Sequence, residues 1–202
     1  ATFVCDTNNI RVIRRFSETI MELASGQLME YYTSFDASQA RDIYQDRIYR
    51  KTASLFRTAS ESGAVLGEAP ENEVEALREY GYNIGMAFQV RDDLLDFQGE
   101  VSNLGKPVGN DLLNGVLTLP TIMLMERYPN DDLVQSLFKD RTNDRKLQKV
   151  VDVINDSTIL PDCEHVVQDY SDKARQALLT LPDCAAKRSL IDLSDYIIAR
   201  RS

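Results

Sequence analysis

Three carboxylates lie within five residues near the end of a strongly helical stretch, at Asp92, Asp93 and Asp96. In a helix, Asp92 and Asp96 share a face at i,i+4 spacing, and Asp93 pairs with Asp96 at i,i+3. Gln89 lies one turn earlier. Like charges at this spacing repel by about 0.2–0.5 kcal/mol per pair, and a helix C-terminus disfavours anions. The cluster therefore indicates either a site for a hard divalent cation such as Mg²⁺ or a solvated acidic helix end.

The helix that carries this cluster is predicted to run from Pro70 to about Gln98-Gly99. Proline suits the first helical position. Gly81 and Gly85 lie four residues apart, which allows the close approach of a neighbouring helix or of substrate and favours helix packing. The face opposite the carboxylates has the spacing of a buried surface and carries Met86, Val90, Leu94 and Phe97. The carboxylates are therefore expected on an anchored helix.

A second helix, predicted from a cap at Asp36 or Ser38 to about Gly63, is basic within an acidic chain. Residues 38–60 carry five Lys or Arg and two Asp side chains, whereas the whole chain has a formal net charge of −9. This local excess of positive charge indicates an anionic partner. Lys51, at the centre of the helix, either binds that anion or is a solvated lysine of the common kind.

Three further segments surround these two helices. A long helix is predicted over Asn8 to Tyr32, where Gly26-Gln27 serves either close packing or the approach of a ligand. Lys106 lies in a loop after the acidic cluster that lacks the Walker pattern, so it is either a charged loop tip or a mobile cation beside the carboxylates.

After that loop, Asn110 or Asp111 is predicted to cap a core helix over Leu112 to Met125. Pro120 within it predicts a kink or an early N-terminal turn. Shorter helices follow over residues 131–139, 142–155, 163–180 and 184–200. No alternating strand pattern or repeat is evident, so we expect one all-α domain over residues 1–202.

Composition excludes several classes of protein. The chain has 202 residues, a pI near 4.7 and three distant cysteines. The acidity argues against nucleic acid as a partner, and the cysteine spacing argues against a disulfide framework, which favours a reduced, cytoplasmic setting. No apolar run is long enough for stable membrane insertion. His165 is the only histidine, which leaves little material for a Ser-His-Asp triad or a zinc site.

Taken together, five segments resemble the trans-isoprenyl diphosphate synthases, the polyprenyl synthetase family. They occur in order, with family-like gaps, over essentially the whole chain: Gly26-Gln27, Lys51-Thr52, Phe88-Gln89-x-x-Asp92-Asp93-x-x-Asp96, Gly105-Lys106-Pro107-x-Gly109-x-Asp111 and Thr118-Leu119-Pro120. The resemblance implies an all-α helical bundle of the isoprenoid synthase type. It also implies a homodimer that packs through long helices.

The resemblance assigns a role to each candidate site residue. Asp92, Asp93 and Asp96 would hold Mg²⁺ against an allylic diphosphate, and Lys51 and Lys106 would bind that diphosphate. Thr52 and Gln89 would turn their oxygens toward the reacting allylic carbon. The double bond of isopentenyl diphosphate would then attack this carbon. These residue types suit the chemistry, because ionisation leaves a carbocation and an anionic leaving group.

The sequence departs from the family pattern in two places. The family carries a first aspartate-rich motif and a basic isopentenyl-binding motif nearer the N-terminus, and neither is present here. We therefore expect a C-terminal portion, truncated at the N-terminus, which by itself turns over little. Val116 stands where many members have a lysine before Thr118.

Two other functions share this architecture. A non-catalytic subunit of a heteromeric prenyl synthase would keep the fold, but it would not need to retain a costly acidic face. A terpene cyclase or head-to-head condensing enzyme would share the metal chemistry, but not the combined Lys-Thr, Gln and Gly-Lys-Pro pattern.

Overall fold

Helices form the fold of residues 2–98, 108–140 and 143–200, which a computed structural model of the chain describes. This part of the chain contains no β-strand, which confirms the predicted all-α class. The helices are α1 (Thr2–Cys5), α2 (Ile10–Thr33), α3 (Arg41–Ile48), α4 (Ser54–Leu66), α5 (Glu71–Gln98), α6 (Asn110–Leu113), α7 (Leu119–Arg127), α8 (Leu133–Lys139), α9 (Asp144–Asn155), α10 (Ile159–Ala177) and α11 (Ala185–Ala199). A π-helical segment, Tyr49–Ala53, joins α3 to α4, and a 3₁₀ turn, Leu178–Thr180, follows α10.

Helix α5 lies at the centre, packed mainly against α4 and α10. Its predicted apolar face is buried as expected, with Met86, Val90, Leu94 and Phe97 at most 2% exposed. The predicted position of Pro70 is one residue off. Helix α5 begins at Glu71, and the Pro70 carbonyl accepts the first helical hydrogen bond from the Val74 amide at 3.0 Å. Pro70 therefore lies just before the first helical residue, where its carbonyl can still accept such a bond.

Arg91 ties α5 to the C-terminal helices. Its side chain is 5% exposed, and its guanidinium donates to both carboxylate oxygens of Glu164 on α10, at 2.6 and 2.5 Å. It also donates to the Ile198 carbonyl of α11 at 2.7 Å. A buried charge is tolerated only when it is paired and hydrogen-bonded, so this arrangement fixes how the three helices meet.

The basic helix departs from its prediction. Asp36 and Ser38 do not cap it, because the Asp36 carboxylate accepts from the Ser38 amide and hydroxyl in a turn before the helix. Helix α3 begins only at Arg41, after Ala40 in an extended conformation. The helical run ends at Leu66 rather than near Gly63, and the π-helical segment interrupts it.

Helix α2 is capped by Asn9, whose side chain accepts from the Val12 amide at 3.2 Å. Its predicted extent is correct to within two residues. Its buried stripe, however, consists of Val12, Thr19 and Gly26, while Ile10 is 77% exposed. Helix α2 therefore buries few side chains completely, and most of its apolar side chains are half-buried or exposed.

The predicted helix over Leu112 to Met125 is wrong as one element. The chain forms α6, turns at Gly115 with φ +79°, and starts again at α7. A Cβ at Gly115 would lie 2.6 Å from the Phe35 ring, so glycine suits both the backbone angle and the space. Pro120 lies in the first turn of α7, as its alternative prediction stated. Of the described helices, none is both long and apolar enough to cross a bilayer.

Candidate functional site

A polar cleft of about 260 Å³ lies where α2, α3, the π-helical segment, α5 and the α6–α7 turn meet. Four acidic and two basic side chains face it together with polar and small apolar groups. The lining residues are Glu30, Arg47, Ile48, Lys51, Thr52, Gln89, Asp92, Asp93, Asp111, Val116 and Thr118. The structure thus brings together five predicted site residues, Lys51, Thr52, Gln89, Asp92 and Asp93. Lys106 lies outside the described residues.

The π-helical segment presents Lys51 and Thr52 to this cleft. Its wider turn is seen in the Ser54 amide, which donates to the Tyr49 carbonyl five residues earlier. Such segments are rare and occur frequently at functional sites. They insert one extra residue into the helix, which changes the direction of the side chains around them.

Two glycines on neighbouring helices allow the π-helical segment to pack closely. A Cβ at Gly26 of α2 would lie 2.8 Å from the Lys51 amide nitrogen. On α5, a Cβ at Gly85 would lie 2.6 Å from the Ala53 Cα. Contacts this short leave no room for a side chain. Of the two predictions for Gly26, the contacts support packing, and the segment is held between α2 and α5.

Four side chains form a continuous row of hydrogen bonds from the cleft into the core. Thr52 Oγ1 donates to Gln89 Oε1 at 2.6 Å, and Gln89 Nε2 donates to Asp93 Oδ1 at 2.9 Å. Tyr44 Oη donates to Asp93 Oδ2 at 2.6 Å. Burial raises the pKa of Asp93 to about 7, although both donors oppose that rise. We refer to these four residues as the Tyr44–Thr52 row.

Lys51 lies at the mouth of the cleft beside Glu30. Its ammonium lies 2.7 and 2.6 Å from the two Glu30 oxygens, and its side chain is 40% exposed. Asp111 lies in the same cleft. Burial raises its pKa, and the negative charges of Asp92 and Glu30 raise it further. The cleft therefore concentrates carboxylates that attract cations, with one lysine at its entrance.

The three aspartates of the cluster have different surroundings. Asp92 has a half-exposed side chain, 3.3 Å from the Arg200 guanidinium, which also lies over the Phe88 ring at 5.2 Å. Asp93 is 3% exposed and belongs to the Tyr44–Thr52 row. Asp96 does not line the cleft.

Asp96 instead holds the start of α6. Its two carboxylate oxygens accept from the backbone amides of Asn110 and Asp111, each at 3.1 Å. The Asp96 carbonyl also accepts from the Gly109 amide at 2.9 Å. Burial raises the pKa of Asp96 to about 6. These bonds hold the start of α6, from which Asp111 lines the cleft together with Asp92.

The cleft suits a metal that is shared with a ligand. No group of three or more His, Cys, Asp or Glu side chains in residues 2–98, 108–140 and 143–200 is arranged to hold an ion by itself. Mg²⁺, however, is commonly held by one or two carboxylates with waters and substrate phosphates. Asp92 and Asp111 are acidic oxygen donors in one cleft and fit that arrangement. The prediction that Asp92, Asp93 and Asp96 all bind metal stays a prediction.

Sequence reasoning missed four contributors to the site, Tyr44, Glu30, Arg47 and Asp111. No role in the site was predicted for Tyr44, and Asp111 was predicted only as a helix cap and as the last residue of a family-like segment. Arg47 is 2% exposed and donates to Gln39 at 3.0 Å and to the Leu117 carbonyl. The sequence signal that could have indicated Arg47 was an arginine on the buried face of a strongly basic helix. Val116, predicted to stand where many members of the family have a lysine, also lines the cleft.

Comparison with known proteins identifies the class of this all-helical fold. Residues 2–154 match the sequence model of the Polyprenyl synthetase family. The chain therefore belongs to the polyprenyl synthetase family, as the resemblance indicated. A prenyl transferase of Synechocystis sp. is 31% identical over 198 residues, which cover 98% of this chain and 61% of that protein.

Solved structures of the same family have a similar fold. Heptaprenyl diphosphate synthase from Staphylococcus aureus superposes with a TM-score of 0.91 at 33% identity, covering 96% of this chain and 61% of that one. A polyprenyl synthase from Caulobacter crescentus, complexed with calcium and isoprenyl diphosphate, gives a TM-score of 0.90 at 31% identity, covering 98% and 61%. The chain spans between about half and three-fifths of the length of the curated relatives that it matches.

Proposed function

We propose that the protein to which this chain belongs is a trans-isoprenyl diphosphate synthase. It would join isopentenyl diphosphate head to tail with an allylic diphosphate. The observation that carries this proposal is the cleft itself, where the oxygens of Thr52 and Gln89 lie beside Lys51 and the carboxylates of Asp92 and Asp111. Membership of the family and the Caulobacter complex with isoprenyl diphosphate support the substrate class.

Each group in the cleft suits one part of the ionisation. Breaking the allylic C–O bond leaves a delocalised cation and a diphosphate anion. Lys51 would take the diphosphate in place of Glu30, and Lys106 is predicted to add a second cation. Thr52 and Gln89 present oxygen dipoles to the cation without attacking it. Bound Mg²⁺, held by Asp92 and ligand oxygens, would supply positive charge to the leaving group.

Attack by the double bond of isopentenyl diphosphate, with loss of a proton to the departing diphosphate, would complete one elongation. The chain contains one D-D-x-x-D cluster. A single carboxylate cluster cannot clamp a diphosphate from two sides, so the 202-residue chain alone should turn over little. We therefore place efficient catalysis in the full-length protein.

Labelled allylic diphosphate tests the proposal directly. The full-length protein is incubated with it and Mg²⁺, with and without isopentenyl diphosphate. Elongated products that require isopentenyl diphosphate are the expected result. Diphosphate release and cyclised or dimerised products without isopentenyl diphosphate would instead favour a terpene cyclase or head-to-head condensing enzyme.

A non-catalytic subunit of a heteromeric prenyl synthase is the second candidate. The complete Tyr44–Thr52 row argues against it, because a subunit relieved of chemistry gains nothing from a buried carboxylate. A non-catalytic subunit would give a different experimental result. Protein expressed alone would show no elongation, and activity would appear only on mixing with a second prenyl synthase subunit.

A homodimer through α2 is part of the proposal. The exposed side of α2 carries Ile10, Met21, Leu28 and Tyr31, which are 56–77% exposed. Burying such an apolar stripe against a second helix would stabilise an assembly. Sedimentation of the full-length protein should show a dimer that Met21→Glu weakens. Leu179→Glu, at a 73% exposed residue outside α2, is the matched control and should leave the dimer unchanged.

We also retain a reduced, cytoplasmic setting as a prediction. Cys5, Cys163 and Cys184 are free thiols in the structure, which suits such a compartment. Fractionation of cells that express the tagged protein would test it.

A further inference from the structure

We propose that Asp93 is a positioning residue that, fixed by Tyr44, sets the orientation of the Gln89 side-chain amide, and that it does not bind the metal. This inference rests on the proposed function and divides the aspartate cluster by role. Asp92 faces the ligand, Asp93 orients Gln89, and Asp96 holds the start of α6.

Both oxygens of Asp93 already have a protein donor. Each accepts one hydrogen bond, from Tyr44 at 2.6 Å and from Gln89 at 2.9 Å. Asp93 is 3% exposed, whereas the side chain of Asp92 one residue earlier is 50% exposed. If Asp93 turned toward a metal, it would leave the Tyr44 hydroxyl and the Gln89 amide without partners. Unpaired buried polar groups are costly, so this exchange is unfavourable.

The orientation of Gln89 depends on Asp93. An amide has an oxygen end that accepts and a nitrogen end that donates, and either end can turn toward a given neighbour. The Thr52 hydroxyl does not decide the orientation, because it can donate or accept. In the structure one Asp93 oxygen accepts from Gln89 Nε2 and the other from the Tyr44 hydroxyl, and this turns Gln89 Oε1 toward Thr52 and the cleft.

The opposite orientation would harm the proposed reaction. It would point the N–H groups of Gln89, with their positive partial charge, toward the carbon where positive charge develops. A fixed dipole stabilises a transition state only if its correct end faces the developing charge. Asp93 would therefore act through Gln89, without touching the substrate.

Tyr44 prevents the carboxylate from rotating. Its ring is 1% exposed in the core below the cleft, and its hydroxyl holds the Asp93 oxygen that Gln89 does not use. The Arg47 guanidinium lies 5.7 Å from the centre of this ring and adds positive charge nearby. Removal of the Tyr44 hydroxyl should therefore allow the Asp93 carboxylate to rotate.

The kinetic test uses Tyr44→Phe in the full-length protein, with Tyr80→Phe as the matched control. Tyr80 is also buried, at 2% exposure, and its hydroxyl donates at 2.9 Å to the Leu190 carbonyl, outside the residues lining the cleft. Tyr44→Phe should lower kcat about tenfold and leave KM for the allylic diphosphate within about twofold, whereas Tyr80→Phe should leave both unchanged. Equal effects of the two variants on kcat would overturn the inference.

A double-mutant cycle separates positioning from other roles. In a Gln89→Leu background there is no amide to orient, so Tyr44→Phe should cost no further activity. If Tyr44→Phe lowers kcat by the same factor with and without Gln89, Tyr44 does not act through the amide, and the inference fails.

Metal binding gives a readout that does not need turnover. Mn²⁺ binding in the presence of inorganic pyrophosphate, followed by electron paramagnetic resonance, should weaken at least tenfold in Asp92→Asn. It should change less than about twofold in Asp93→Asn, which keeps the side-chain shape. Equal weakening in both variants would show that Asp93 binds the metal.

The amide itself can be observed, which distinguishes this inference from the proposed function. With ¹⁵N-glutamine labelling, the Gln89 side-chain signal, assigned by its loss in Gln89→Leu, should be protected from exchange. Tyr44→Phe should reduce that protection, even if the protein elongates no substrate. Unchanged protection would refute the positioning role, whereas absent elongation with reduced protection would refute only the proposed function.

Discussion

Glu30 and Lys51 pair across 21 residues of sequence at the mouth of the cleft. The side chain of Lys51 is 40% exposed and that of Glu30 is 18% exposed. Ion pairs near solvent contribute about 0–1 kcal/mol, so Lys51 can exchange Glu30 for a ligand anion at little cost. Glu30 is then a competitor for the lysine that the proposed function assigns to diphosphate.

We expect Glu30→Gln to raise the affinity for inorganic pyrophosphate by about two- to fivefold, because Lys51 loses its competing carboxylate. Lys51→Met should lower the same affinity. Calorimetric titration of the full-length protein without metal measures both. Lys139→Met, at an exposed lysine of α8, is the charge-matched control. A lower affinity in Glu30→Gln would show that Glu30 instead orients Lys51 for binding.

Residue types and local spacing predicted the cleft residues that lie close to one another in sequence. Gln89, Asp92 and Asp93 are adjacent on one helix, so their shared position followed from helical geometry. The partner of Asp93, Tyr44, lies 49 residues away. That contact depends on how α3 packs against α5, which no local pattern encodes. The hydrogen bonds that Asp96 accepts from the Asn110 and Asp111 amides could not be predicted for the same reason.

Glycine positions decide how closely the elements around the cleft approach. Gly81 and Gly85 of α5 lie against the helical run that contains Ala53 and Phe56. A Cβ at Gly81 would lie 2.6 Å from the Phe56 carbonyl oxygen. Both contacts involve backbone atoms, which cannot move aside as a flexible side chain can. The close packing predicted from the spacing of these glycines is confirmed.

Gly85→Ala should lower the free energy of unfolding by about 1–3 kcal/mol, because the added methyl group overlaps the Ala53 backbone. Gly63→Ala is the matched control within the same helical layer. Nothing lies within 4 Å of a Cβ there, so alanine should stabilise by up to about 1 kcal/mol through helix propensity. Urea unfolding compares the two. Equal stabilisation by both substitutions would disprove the close approach at Gly85.

Element boundaries were predictable where capping or a strong apolar face sets them, as at α2 and α5. The predicted boundaries were wrong where long-range contacts determine where an element ends. The turn at Gly115 is stabilised by Phe35, whose amide donates to the Gly115 carbonyl at 2.9 Å. The π-helical segment depends on Gly26 and Gly85. Sequence periodicity reports one face of one helix and contains no information about such partners.

On the scale of the whole molecule, the core extends from Tyr44 to Ile197 and encloses one thiol. Cys163 of α10 is fully buried, and its Sγ lies 3.4 Å from the Met123 sulfur. Burial raises the pKa of Cys163 to about 12. Cys5 and Cys184 are exposed. The reactivity of Cys163, compared with that of the two exposed thiols, therefore shows whether the core is closed.

At pH 8, an alkylating reagent should modify Cys5 and Cys184 in the native protein within minutes, while Cys163 stays unmodified. The thiolate is the reactive form, and a thiol with a pKa near 12 holds it at only about one part in ten thousand at that pH. Peptide mass spectrometry assigns the sites, and unfolding in urea should expose Cys163. Rapid native labelling of Cys163 would contradict the packing of α7 against α10.

The wide turn at Tyr49–Ala53 also bears on how relatives are compared by alignment. It contains one residue more than an ordinary helical turn, so a sequence lacking that residue could run straight from α3 into α4 with no loss of helix. Because the wider turn absorbs the extra residue, α3 and α4 would keep their directions, and only the side chains within the turn, including Lys51 and Thr52, would change direction. A one-residue gap at this place would therefore mark a relative that keeps the helical architecture but presents different side chains to the cleft.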